Sequence, residues 1–207
     1  MAIPHWLRLV LRAQYPWDHR AIRSRLRPLT FRPAVEEDYP WCVDLLEKNE
    51  AHGVPANHRE SYLGNLRSGT QITMIAEDAT GPVGTFALSR MNERTAWLSY
   101  VMVDPSLHRS GVGTTMLLGS LSLLRQEGLK QYLMLGALET SLAFYERLGF
   151  VFTGIDQTEG NQYLQAQLGP ISPRLVRDCN KLLREAGVIL PDVQSEIPFA
   201  ASVPLPS

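Results

Sequence analysis

The chain lacks any hydrophobic run approaching the roughly 18 residues that a membrane-crossing helix needs, so no spanning segment is expected. It has little net charge: 20 Lys+Arg against 21 Asp+Glu leave −1 at pH 7. No global field then favours nucleic acid or a membrane surface. It has only two cysteines, Cys42 and Cys179, far apart and in no metal-spaced pair. That pattern predicts reduced, partly buried thiols in a cytoplasmic protein, with no metal. Lysine is scarce, with Lys48, Lys130 and Lys181 the only ones in the chain. None of the three follows the Gly111-Val112-Gly113 run, so that run is not a Walker loop. The third glycine of a dinucleotide fingerprint is missing as well, because Met116 stands there, and Glu127 lies too near to be the ribose acid.

What is present centres on Trp97 to Met116. Trp97 to Val103 is aromatic and β-branched, as a buried strand requires. Pro105 cannot donate to a sheet and ends it. Gly111 and Gly113 let the backbone approach a bound group. From Thr114, the residues Met116, Leu117, Leu121 and Leu124 follow helical spacing. Unpaired N–H groups and the helix dipole together favour an anion at such a turn, most naturally a phosphate.

Val103-Asp104-Pro105 followed by His108-Arg109-Ser110-Gly111-Val112-Gly113 resembles the coenzyme A loop of the GNAT superfamily of N-acetyltransferases. His108 takes the place of the family's usual Gln or Arg. Ser141-Leu142-Ala143-Phe144-Tyr145-Glu146-Arg147-Leu148-Gly149-Phe150 resembles that family's second signature. The resemblance implies an α/β (α+β) fold: a mixed, mostly antiparallel sheet flanked by helices, with a splayed parallel strand pair at the cofactor site. It implies acetyl-coenzyme A as co-substrate, with Val101, Met102 and Val103 pairing with pantetheine. The Val101 N–H would polarise the thioester carbonyl. His108, Arg109, Ser110, Gly111, Val112, Gly113 and Thr114 would hold the pyrophosphate. Tyr145 maps onto the tyrosine that returns a proton to the departing sulfur.

Elsewhere, the pattern predicts a short strand at Leu29 to Ala34 and a helix opened by Glu36-Glu37-Asp38. A second helix is expected to be capped by Asn57 with Glu60. Strands at Gln71 to Glu77, Val83 to Met91 and from Trp97 form a meander, and Tyr132 to Leu135 lies parallel to the central strand. After the helix to Leu148, a hairpin joins Phe150 to Ile155 and Gln162 to Leu168 across residues 158–161. Gly169-Pro170 is expected to stop it, and Gly128 to end the helix that follows the Gly111-Val112-Gly113 loop. Leu175 to Ala186 reads as a last helix, and the tail after Ile189 as extended. The expected domains are a basic arm or extra helix at 1–27, the acetyltransferase domain at 28–169, and a helix with a Pro-rich tail at 170–207. The arm carries six arginines against Asp18. It suits a transit segment, a surface helix contacting a partner or membrane, or a helix docked on the domain.

The expected reaction is acetyl transfer to a primary amine of a small molecule or peptide by direct attack in a ternary complex. Asp156 and Glu159 suit a cationic acceptor. A homodimer is compatible with all of this. The general base is open: Trp97 and Leu133 occupy the places where some subfamilies carry a glutamate. Glu50, His52, His58, Glu60 and Glu93 remain as candidates. Leu138 replaces a frequent cofactor-contacting Asn. The missing base leaves a second reading, a GNAT-fold module that binds acyl-coenzyme A or a partner with little turnover.

Overall fold

The computed structural model describes residues 19–124, 131–158 and 161–191. Most of the basic arm, the break at Gly128, Glu159 and the Pro-rich tail lie outside them. Seven strands form one sheet: β1 (Thr30–Pro33), β2 (Ile72–Asp78), β3 (Gly81–Asn92), β4 (Thr95–Val103), β5 (Gln131–Ala137), β6 (Val151–Thr158) and β7 (Asn161–Ile171). Their order is β1-β2-β3-β4-β5-β7-β6. Only β4 and β5 pair in parallel. The described helices are α1 (His19–Arg23), α2 (Tyr39–Glu50), α3 (His58–Ser68), α4 (Val112–Leu123), α5 (Glu139–Arg147) and α6 (Pro173–Glu185).

Two apolar cores cover the two faces of the sheet. On one face, Leu98, Leu133 and Leu135 pack with Met116, Leu117 and Leu121 of α4, and α5 and α6 join them. On the other, Ile75 and Met102 pack with Leu45 and Leu46 of α2 and Tyr62 and Leu66 of α3. Both cysteines are free and buried, Cys42 beneath α2 and Cys179 beneath α6. Among the described residues, no helix is long and apolar enough to cross a membrane.

Local chemistry explains several element ends. Asp38 accepts hydrogen bonds from Arg32 Nη1 and Nη2 at 2.6 and 2.8 Å and from the Val35 N–H at 2.8 Å, which fixes the entry to α2. The Arg32 guanidinium therefore holds the Asp38 carboxyl below its ordinary range. The Ser172 hydroxyl accepts the Leu175 N–H at 3.1 Å, and Pro173 takes the first helical position, so α6 begins before Leu175.

Two expectations are corrected. Asn57 has helical backbone angles and no capping bond, because its Oδ1 instead accepts from Asn161 Nδ2 at 3.0 Å. Strand β7 does not stop at Gly169-Pro170 but continues to Ile171. A register shift opposite residues 131–133 of β5 accommodates the proline, which has no N–H to give the ladder.

Candidate active site

Strand β4 loses its parallel partner part-way along. The register with β5 ends at Leu98↔Leu135, so Ser99 to Val103 run on beside a gap. On the other side they stay paired to β3, where Asp104 N–H donates to Val83 C=O at 2.9 Å. Alternation along a strand then turns the N–H and C=O of Val101 and Val103 toward the gap. Met102, between them, faces its main chain to β3 and buries its side chain in the second core.

A bulge sets this phase. Between Thr85↔Met102 and Ala87↔Ser99 the ladder shifts, and Tyr100 there takes φ +49°. Before the bulge, Ala96 and Leu98 face the α4 side; after it, Val101 and Val103 do. Thr85 Oγ1 donates to Tyr100 C=O at 3.2 Å, and Asn65 Nδ2 donates to the Tyr100 hydroxyl at 3.0 Å. These bonds hold a left-handed backbone that a tyrosine rarely adopts.

The loop after β4 turns through Arg109 at φ +62° and Gly111 at φ +102° into α4. The first intrahelical bond runs from Thr115 N–H to Gly111 C=O at 3.0 Å, so the N–H groups of Val112, Gly113 and Thr114 precede it. Ser110 Oγ is buried with no hydrogen-bond partner. A Cβ on Gly113 would lie 3.6 Å from Phe144 and 3.8 Å from Val103, so the helix start, the strand edge and α5 converge there. An orphaned hydroxyl beside leading N–H groups fits a phosphate. His108 and Arg109 are exposed, and the Val112 side chain is buried.

Two features of this loop were not legible beforehand. His108 Nε2 and Asn49 Nδ2 both stand 3.2 Å from Val103 C=O, which already satisfies that carbonyl. The chain before β1 also reaches the loop: Arg27 N–H donates to Thr115 Oγ1 at 3.0 Å, and a Cβ on Gly111 would overlap the Arg25 carbonyl oxygen. Ile22 is buried in the main core. Residues 22–27 thus brace the outer side of the loop.

Tyr145 lies on α5 with 7% of its surface exposed, edge-on to Phe144 and Phe150 at 5.0 and 5.6 Å. Burial pushes its phenol well above the usual range, so its proton stays in place at neutral pH. On the opposite face, Gly136 of β5 is exposed where the gap opens. A Cβ there would lie 3.3 Å from Tyr163 and 3.7 Å from Trp97. Tyr163 OH is 2.6 Å from His58 Nε2. Ser99 Oγ donates to Gln71 Oε1 at 3.3 Å, leaving Gln71 Nε2 buried without a partner.

A family model described as the acetyltransferase (GNAT) family matches residues 30–150, more than half of the chain. The chain belongs to the GNAT acetyltransferase family. Solved structures agree on the fold. The chain is similar to a spermidine N-acetyltransferase SpeG chimera from Vibrio cholerae and hSSAT, with 18% identity, TM-score 0.56, and coverage of 69% of this chain and 96% of that one. It is similar to a structure named histone acetyltransferase HPA2 and related acetyltransferase from Corynebacterium glutamicum, with 22% identity, TM-score 0.55, and coverage of 70% and 98%. It is also similar to an IAA acetyltransferase from Bacillus cereus, with 16% identity, TM-score 0.52, and coverage of 68% and 99%. No curated protein matches.

In this GNAT chain the five base candidates separate. Glu93 sits in the β3–β4 turn, at the far end of β4 from Val101. Glu60 is exposed on α3, and Glu50 ends α2. The His52 ring packs edge-on to His108 at 4.8 Å, beside Val103. His58 alone of the five is hydrogen-bonded to a group beside Gly136. The Asp156 side chain and Glu159 lie outside the described residues. Tyr163 had no motif to announce it.

Proposed function

We propose that this GNAT protein transfers an acetyl group from acetyl-coenzyme A to a primary amine of a small molecule or peptide. The observation that carries the reading is the backbone edge of Val101 and Val103, left open by β5 and joined by a short loop to the N-terminus of α4. Pantetheine amides suit the Val101 N–H and C=O and the Val103 N–H of such an edge, and the diphosphate suits Ser110 and the leading N–H groups of α4. The thioester supplies an activated carbonyl carbon. In this reading the Val101 N–H stabilises the oxyanion that forms there. In the same reading Tyr145, whose phenol carries its proton at neutral pH, protonates the leaving thiolate.

The amine acceptor fits one of the similar structures, which is named for spermidine. We place the reaction in the cytoplasm, where two free buried thiols are expected. The test is thiol release from acetyl-coenzyme A with a panel of alkyl-, arylalkyl- and polyamines. Amine-dependent release with acetylated product supports the reading. Tight binding of acetyl-coenzyme A with no amine-dependent release supports instead a binding module with little turnover. One observation favours that second reading: Asn49 and His108 already occupy the Val103 carbonyl.

A further inference from the structure

An amine reaches such a site mostly as its ammonium ion, and it must lose a proton before it can attack. The positions where some GNAT subfamilies carry a glutamate hold Trp97 and Leu133 here. The face opposite α4 carries a different arrangement. Strand β7 continues past the end of β5: Ala137 pairs with Leu164, so Tyr163 stands one residue beyond that pair. The base of its side chain, Cβ and Cγ, lies against exposed Gly136, with the Trp97 ring beside it. Gly136 directly follows Leu135, the last β5 residue paired with β4. Tyr163 therefore borders the gap from the side away from the phosphate loop.

Behind Tyr163 stands His58, at the first position of α3, with its Nε2 2.6 Å from the phenol oxygen. Asn161 Nδ2 donates to Asn57 Oδ1 at 3.0 Å and approaches the same His58 Nε2 at 3.4 Å. An amide nitrogen only donates; with Nε2 as its acceptor, the Tyr163 O–H donates to Nε2 as well. His108 differs, because its Nε2 faces a carbonyl and must carry a proton.

We propose that Tyr163 and His58 together take the proton that the acceptor ammonium loses before attack. This rests on the acetyl-transfer reading above. The ammonium gives one proton to the Tyr163 oxygen as the Tyr163 O–H proton passes to His58 Nε2. The neutral amine then attacks the thioester carbon, forming the C–N bond and breaking the C–S bond. Of the three ammonium protons, one stays on the amide nitrogen. One reaches the sulfur by way of Tyr145, and one leaves His58 for solvent. Tyr163 is the group that touches the amine, and His58 is a positioning and proton-holding residue acting through it. The rings of Trp97 and Tyr163 beside a side-chain-free Gly136 suit an amine on a slender or flat apolar stem, with cation–π attraction for the incoming ammonium.

The experiment compares the parent with His58→Gln and Tyr163→Phe. Gln keeps an acceptor for the tyrosine hydroxyl but cannot hold the proton. The acceptors are 2-phenylethylamine, an ammonium at pH 7.5, and phenylhydrazine, neutral at that pH, each at saturating acetyl-coenzyme A. Acetyl-coenzyme A affinity, measured by titration calorimetry, controls for folding and for the cofactor site. The expected result is a loss of roughly 10²–10³-fold in kcat/KM for 2-phenylethylamine in both variants. The loss for phenylhydrazine should be under about tenfold, with cofactor affinity unchanged. Equal losses for both acceptors show a packing role and overturn the proposal, as does no loss for either. A parent that binds acetyl-coenzyme A but acetylates neither compound overturns the acetyl-transfer reading to these acceptors, and the proton route with it.

Discussion

Gly111→Ala isolates the contact between the N-terminal segment and the loop. At Gly111 the backbone has φ +102°, where an L side chain is strained by about 1–2 kcal/mol. The new Cβ would also coincide with the Arg25 carbonyl oxygen, so residues 25–27 must move. Moving them breaks the Arg27 N–H to Thr115 Oγ1 bond, worth about 1 kcal/mol. The sum is about 2–3 kcal/mol while Ile22 stays in the core. If Ile22 leaves, burial of about 1.5–3 kcal/mol is lost as well. Gly113→Ala is the paired control. Its Cβ would meet Phe144 and Val103 at ordinary contact distances, in the first turn of a helix that prefers alanine. It should shift stability by less than about 1 kcal/mol. Urea unfolding gives both values, and limited trypsin digestion at Arg23 and Arg25 reports whether the segment has lifted. A Gly111→Ala protein as stable and as protected as the parent would refute the bracing role.

Three other perturbations have definite outcomes. Tyr145→Phe keeps the ring contacts to Phe144 and Phe150, so stability should hold while single-turnover acetyl transfer slows roughly 10²–10⁴-fold. Unchanged single-turnover rates would remove the acid role. A chain beginning at Leu26 loses buried Ile22 and should be less stable by about 1.5–3 kcal/mol in urea, which would move the domain start ahead of residue 28. Equal stability would restore the boundary expected from sequence. Asp38 has a depressed pKa, so its stabilisation is complete above the unfolded value near 4 and is lost as pH falls through the folded value. Asp38→Asn should therefore cost about 1–2 kcal/mol at pH 7 and flatten the acid limb of the stability curve. An unchanged limb would show that the Arg32 pair does not govern it.

The parts of the fold legible in sequence are those with local causes. The Trp97 to Val103 run, Pro105 and the two glycines marked strand, stop and loop, and β2, β3 and β4 followed from alternation and turn residues. The Gly111-Val112-Gly113 and Tyr145 motifs pointed to the family that the family model confirms. What stayed hidden depends on residues distant in the chain. The Tyr100 bulge exists only against Thr85 and Ala87 across the ladder. His58 and Tyr163 are 105 residues apart and meet only because α3 and β7 close on the same gap. Gly111 read as a place for a ligand, but the group that approaches it most closely is the Arg25 carbonyl. Substituting Gly111 would therefore disturb the bracing segment first, whereas Gly113 faces Val103 and Phe144 directly. The Gly169-Pro170 pair read as a stop because a register shift on β5 cannot be seen from β7 alone.

Acetyl-coenzyme A bound along the open edge of β4, with its phosphates at the start of α4, would leave a direct mark on the backbone amides. Amide hydrogen exchange, followed with and without saturating acetyl-coenzyme A, tests it residue by residue. New protection is expected at Val101 and Val103 and across Ser110 to Thr114, with little change along β1 and β2. Saturable binding that leaves those amides unprotected, or protects another part of the sheet, would contradict it.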